Sequence, residues 1–142
     1  MKEFLFFIKE NSVKKQSPDI NLAKATFKEG MDRLQMAKGI LLTQKPKYSL
    51  ENAYESIREI IDSVLFIEGY KSFSHEASVS YLIEMGFSLS EAMAVDRLRK
   101  QRNGIKYYGE EVTKEDAKIA LIIAKRTIKK ILEKKSKLKE FK

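Results

Sequence analysis

The residues of this chain whose types and spacing could do chemistry are concentrated between Arg97 and Gly109, which reads Arg-Leu-Arg-Lys-Gln-Arg-Asn-Gly-Ile-Lys-Tyr-Tyr-Gly. Before and through it, Leu89, Ala92, Val95 and Leu98 recur three apart, and the apolar stripe resumes at Ile105. Arg102 falls four residues after Leu98 and three before Ile105, so on a helix its guanidinium projects toward the packed side. A cation there needs a partner, because burying it unpaired costs several kcal/mol. An internal carboxylate, backbone carbonyls, a wet cleft or an anionic ligand would each serve, and the spacing leaves all four open.

A second cationic region lies at the end of the chain. From Lys125 to Lys142, nine Lys or Arg stand against Glu133 and Glu140, so this segment carries +7 of the net +8. Ala117, Leu121, Ala124, Ile128 and Ile131 follow a 4, 3, 4, 3 spacing, which predicts a basic amphipathic helix. Lys129, Lys130, Lys134, Lys135 and Lys137 form either a solvated face near a helix C-terminus or a polyanion-binding surface.

Helical elements must position these groups. Ala23, Phe27, Met31, Leu34, Ala37 and Leu41 mark one face of a long helix, with Ser17 as the expected cap and Pro18 as its first residue. Gln44 to Ser49, containing Pro46, breaks it. Ser49 is the expected cap of a second helix carrying Leu50, Ala53, Ile57, Ile60, Val64 and Ile67, which Gly69 ends. A shorter helix runs from about Ser74 to Met85 and stops at Gly86. Ser88 with Glu91, and Thr113 with Asp116, carry the capping-box spacing, and Gly109 supplies the stop between them. No stretch alternates with period two for long enough to predict a strand. The expected architecture is all-α, an up-and-down bundle of four to five helices. It comprises residues 17–142, with residues 1–16 as a short N-terminal helical appendage and connector.

Composition narrows the function classes. The 142 residues include no Cys and a single His, with 34% charged residues against about 25% in an average domain. A zinc site would need carboxylates in unusual number, and there is no glycine-rich phosphate loop or Gly-x-Ser-x-Gly nucleophile turn. No metal and no cofactor are therefore expected. Phe4 to Ile8 is only five apolar residues long, against about 7 to 15 for a secretory segment and about 20 for a membrane span. A cytoplasmic protein with no membrane partner is expected, with Phe4, Phe7 and Ile8 docked on the main body or on a second subunit. His75, after Ser72 and Ser74, reads either as a structural residue at a helix start or as a catalytic one.

The helical layout, the segment Gly69-Tyr-Lys-Ser-Phe-Ser-His75-Glu-Ala and the motif Arg102-Asn-Gly-Ile-Lys-Tyr107-Tyr-Gly109 resemble the HEPN family, the higher eukaryotes and prokaryotes nucleotide-binding domain. The likeness is to its small stand-alone archaeal and bacterial members, over roughly residues 20 to 135. It implies a homodimer. In many members the paired Arg and His form a metal-independent ribonuclease cleft, and some act as toxins beside a minimal nucleotidyltransferase. Arg102 matches the family Arg and Asn103 the polar residue after it, but Tyr107 stands where the family has His.

Metal-free RNA cleavage must deprotonate a 2′-hydroxyl, protonate a leaving oxygen and stabilise a phosphorane, and Arg102 serves only the last. A phenol with a pKa near 10 is roughly 0.1% ionised at neutral pH, so Tyr107 is a poor base but a good donor or stacking surface. Arg102 and Tyr107 are five residues apart, about 140° around a helix, so one chain does not aim both at one point. Gly104, which costs about 1 kcal/mol relative to Ala, would loosen that turn. Three readings follow. The first is nucleotide or RNA binding through Arg102, Asn103, Tyr107 and Tyr108 without efficient hydrolysis. The second is an endoribonuclease toxin in which Arg102 works with Tyr107 or His75. The third is a structural module with Arg102 in an internal network.

Overall fold

The structure, a computed structural model, describes residues 1–41 and 44–142. Its elements in chain order are α1 (Phe4–Lys9), β1 (Val13–Lys15), α2 (Ile20–Leu41), α3 (Pro46–Glu68), β2 (Tyr70–Ser72), α4 (His75–Glu84), α5 (Leu89–Tyr108), α6 (Lys114–Lys134) and a closing 3-10 segment, Ser136–Phe141. This is an all-α helical bundle with a short N-terminal helical appendage. The stripes anticipated on α2, α3 and α6 face the core, and α5 buries Ala92, Val95, Leu98 and Ile105. Leu89, as the first residue of α5, is exposed instead.

At the centre lies α3, whose buried residues include Leu50, Tyr54, Ile57, Ile61, Val64 and Leu65. It packs on α2 at unusually close range. Ser49 Oγ donates to Ala37 O at 2.8 Å, Ser63 Oγ donates to Ala23 O at 2.7 Å, and a Cβ added to Gly30 would meet Ile60 Cδ1 at 2.8 Å and Ser56 O at 3.2 Å. Small residues thus face each other every seventh position, Ala23, Gly30 and Ala37 against Ser63, Ser56 and Ser49. Without long side chains between them, the two backbones come together, and the buried hydroxyls find carbonyls across or within the seam.

The ends of the helices explain why the chain turns where it does. Gly69 (φ +89°) caps α3 in the left-handed region, and a Cβ there would strike Gln16 O at 2.7 Å. Both capping boxes form, at Ser88/Glu91 and Thr113/Asp116. Two expected caps do not. Asp19, not Ser17, caps α2 by accepting from Leu22 N at 3.0 Å, and α3 begins at Pro46, leaving Ser49 inside the helix as an inter-helix donor. Pro46, three residues earlier, fixes the helical start of α3 before Ser49 can.

The connector also differs from expectation. Val13–Lys15 pairs antiparallel with Tyr70–Ser72, with Lys14 opposite Lys71. Val13 is buried, and Phe73 N extends the ribbon by donating to Ser12 O at 2.9 Å. Three-residue strands are too short to leave an alternating signature. The N-terminal run docks on the main body: Phe4 packs edge-on against Tyr70 and Tyr81, with centroids at 5.3 and 4.6 Å, and Phe7 is buried. At the other end Leu138 and Phe141 fold back into the core, Phe141 against Phe27 at 5.9 Å.

Candidate functional site

One side of α3 carries Tyr54, Glu55, Arg58, Glu59 and Asp62, and helical spacing stacks them into a charged seam whose partners come from α2, α4 and α5. Arg58 holds the centre. Its Nη2 and Nε donate to Glu55 Oε2 at 2.7 and 3.0 Å, and its Nη1 to Asp62 Oδ2 at 2.8 Å. The other oxygen of Asp62 accepts from Ser78 Oγ at 2.7 Å, and Ser78 is 2.9 Å from Ser72 Oγ. On the opposite side Glu55 Oε1 lies 3.1 Å from Arg102 Nη2. A continuous polar chain therefore runs from the β-ribbon at Ser72, through α4 and α3, to Arg102 on α5.

Charge and burial compete along this chain. Burial raises the Glu55 carboxyl, but Arg58, Arg102 and His75 outweigh it and hold the group below its ordinary range. Asp62 is raised, because burial exceeds the help of Ser78 and Arg58. For Glu59 burial dominates as well and lifts its pKa to about 7, although Arg33 and Arg58 oppose the shift. Its Oε2 sits 3.4 Å from Arg33 Nε without hydrogen-bond alignment. On α4, burial and then the Arg58 charge depress the His75 imidazole, with Arg102 and Arg99 adding to the effect and Glu55 opposing it. His75 is consequently neutral at pH 7. Its Nδ1 lies 3.2 Å from the Tyr54 hydroxyl, and burial keeps that phenol protonated.

Above the seam is a cleft of about 320 Å³ lined by Arg33, Glu51, Asn52, Glu55, Arg102 and Lys106. Arg102 is 11% exposed at its side chain. Among the described residues it touches only Glu55, whose second oxygen is already held by Arg58, and Asn103, to which Nη1 donates at 3.4 Å. Three cations, one carboxamide and two carboxylates at one small opening suit a ligand that carries an anionic group and hydrogen-bonding edges.

The expected site residues divide into groups. Arg102 lines the cleft and Asn103 meets it only through the contact with Arg102, whereas Tyr107 and Tyr108 are 64% and 80% exposed on α5, with the Lys106 ammonium over the Tyr107 ring at 5.7 Å. His75 shares the electrostatic neighbourhood of Arg102. Gly104 stays helical; the chain after Gly109 folds back so that a Cβ at Gly104 would collide with the Glu110 carboxylate. Of the basic residues, Lys130 donates to both oxygens of Glu91 at 2.7 and 2.8 Å and Lys135 to Glu68 at 3.2 Å. Lys129, Lys134 and Lys137 remain exposed.

Sequence reasoning passed over Arg33, Asn52, Glu55, Arg58, Asp62 and Lys106. Charges spaced three and four apart on a helix resemble a solvated face. The signal available was that α3 is apolar around so much of its circumference that few positions remain for solvent.

Compared with protein families and with curated proteins, the chain matches no family model and none of the curated proteins. What the fold and site define is a class: an all-α bundle whose central helix holds a partly buried ion-pair chain that opens into a cationic cleft.

Proposed function

We propose that this chain is a HEPN-like domain that binds a nucleotide or RNA phosphate at the Arg102 cleft without hydrolysing it efficiently. The observation that carries the reading is the sharing of Glu55. Arg58 makes its two hydrogen bonds to Oε2 of that carboxylate, whereas Arg102 lies 3.1 Å from Oε1 as an ion pair without a hydrogen bond, so its guanidinium keeps donors for an anion at an opening that Arg33 and Lys106 also line. Titration calorimetry with a nucleoside monophosphate tests it. Arg102→Ala should weaken binding by about 1.5 to 3 kcal/mol, the worth of hydrogen bonds to a charged group, and Arg102→Lys should restore only part, because an ammonium lacks the planar fork. Unchanged affinity in Arg102→Ala would end this reading.

The same resemblance proposes a homodimer and a minimal nucleotidyltransferase partner. Tyr107 and Tyr108 could then complete the cleft of a neighbouring chain, and sedimentation at micromolar concentration would show the pair; a clean monomer removes any shared site.

A second reading, the endoribonuclease toxin, is favoured by the placing of His75: its Nδ1 lies 3.2 Å from the Tyr54 hydroxyl, and burial with the Arg58, Arg102 and Arg99 charges favours its neutral form. A neutral imidazole accepts protons, as Tyr107 does not. RNA cleavage by the wild type that disappears in His75→Ala, while Tyr107→Phe stays active, would install this reading in place of the first.

A further inference from the structure

The β1–β2 ribbon presents a surface that the cleft does not use. Tyr70, Ser72 and Val13 turn inward, so Lys71 and Lys14 share the outward face, and Phe73 continues it at 60% exposure. The two lysines sit directly across from each other, and both ammonium groups lie over the Phe73 ring, Lys14 at 5.7 Å and Lys71 at 5.4 Å from its centroid. Opposed like charges disfavour strand pairing, and among the described residues neither lysine has a carboxylate partner. Lysines on a short exposed strand also discourage edge-to-edge aggregation, but that role gives no reason for a phenyl ring left 60% exposed beside them.

We propose that this face binds single-stranded nucleic acid, with one base stacked on Phe73 and the flanking phosphates held by Lys14 and Lys71. An exposed ring beside two cations that have no carboxylate partner is complementary to a base beside two phosphates, which would draw the ammonium groups off the ring, and stacking needs no particular sequence because every base offers a π-face. The inference rests on the nucleic-acid reading of the chain and extends it from one nucleotide to a strand. Phe73 is two residues from His75, and Ser72 begins the polar chain that ends at Arg102, so a strand on the ribbon enters beside the charged seam.

Fluorescence anisotropy with a labelled twelve-nucleotide oligouridylate, beside calorimetry with uridine monophosphate, tests it. Phe73→Ala should weaken the oligonucleotide roughly tenfold, as expected for one stacked base, while Phe73→Trp retains affinity. The Lys14→Ala/Lys71→Ala pair should lower the slope of log K against log salt by about 1.4, or about 0.7 for each lost phosphate contact on a single strand. Mononucleotide affinity should not change in either. Oligonucleotide affinity and salt slope that survive both changes overturn the proposal, as does a wild type that ignores the oligonucleotide but binds phosphatidylserine vesicles through Phe73. If the oligonucleotide depends on Phe73 while Arg102→Ala changes neither ligand, the ribbon stands and the cleft reading falls.

Discussion

The two sides of α3 solve the same packing problem in opposite ways. Toward α2, Ser49, Ser56 and Ser63 meet Ala37, Gly30 and Ala23, and the backbones close until a single added methyl at Gly30 would collide. Toward α4 and α5 the contacts run through long polar side chains: Arg58 ties Glu55 and Asp62 together along α3, Asp62 accepts from Ser78 of α4, and Glu55 pairs with Arg102 of α5. The first seam leaves no room for anything else. The second ends beside Arg102 at a cleft of about 320 Å³.

The comparison breaks most sharply at Arg58. Arg58→Ala strands the carboxylates of Glu55 and Asp62 in a mostly buried seam and should cost about 3 to 5 kcal/mol in urea unfolding, whereas Arg58→Lys, which cannot bridge both acids with a planar fork, should lose less. A loss within experimental error would mean the seam is solvated. On the closed side, Gly30→Leu should cost on the order of 3 kcal/mol by overpacking against Ile60, despite leucine's better helix propensity. Little change there would show that the α2–α3 approach is looser than described.

The seam also predicts a pH dependence. Glu59 has its pKa raised from 4.5 to about 7 by burial. A carboxyl with a higher pKa folded than unfolded favours the native state when protonated, so stability should fall as pH rises from 4.5 to 7 and level off above. The window amounts to about 3 kcal/mol at most. Glu59→Gln should flatten that slope, measured by unfolding at a series of pH values; an unaltered slope would assign it to another group.

The smallest effect belongs to a contact remote from both seams. Lys130 and the Ser88 backbone hold Glu91 well below the usual carboxylate range, at about 2. The stabilisation it brings is present above the unfolded pKa of 4.5 and is lost as pH falls toward 2. Because Glu91 is a surface group, Glu91→Gln should shift the acid limb of the melting curve slightly and leave the neutral region alone.

How much of this was legible beforehand follows the same divide. Apolar stripes, glycine stops and capping boxes announced the bundle, and Arg102 announced itself by standing between Leu98 and Ile105 in such a stripe. The serine and glycine heptad on α2 and α3 gave no hydropathy signal, since small residues are neither apolar enough nor polar enough to mark a face. Glu55, Arg58 and Asp62 looked like surface charge because helical spacing alone does not say which face is covered. Partnership across elements far apart in sequence is set by tertiary packing, so the acid shared by Arg58 and Arg102 emerged only in the structure. Tyr107 and Tyr108 were recognised as residues able to stack, and their exposure on α5 is compatible with that while separating them from their own cleft.

The central claim is that Arg58 holds the fold and Arg102 is held ready for a ligand, although both address the same carboxylate. Urea unfolding of Arg102→Ala beside Arg58→Ala tests it directly. Because Glu55 Oε2 keeps both hydrogen bonds from Arg58 and only the ion pair at Oε1 is lost, Arg102→Ala should lose less than half of the about 3 to 5 kcal/mol that Arg58→Ala loses. Equal losses in the two variants would make Arg102 a structural member of the seam and contradict the account.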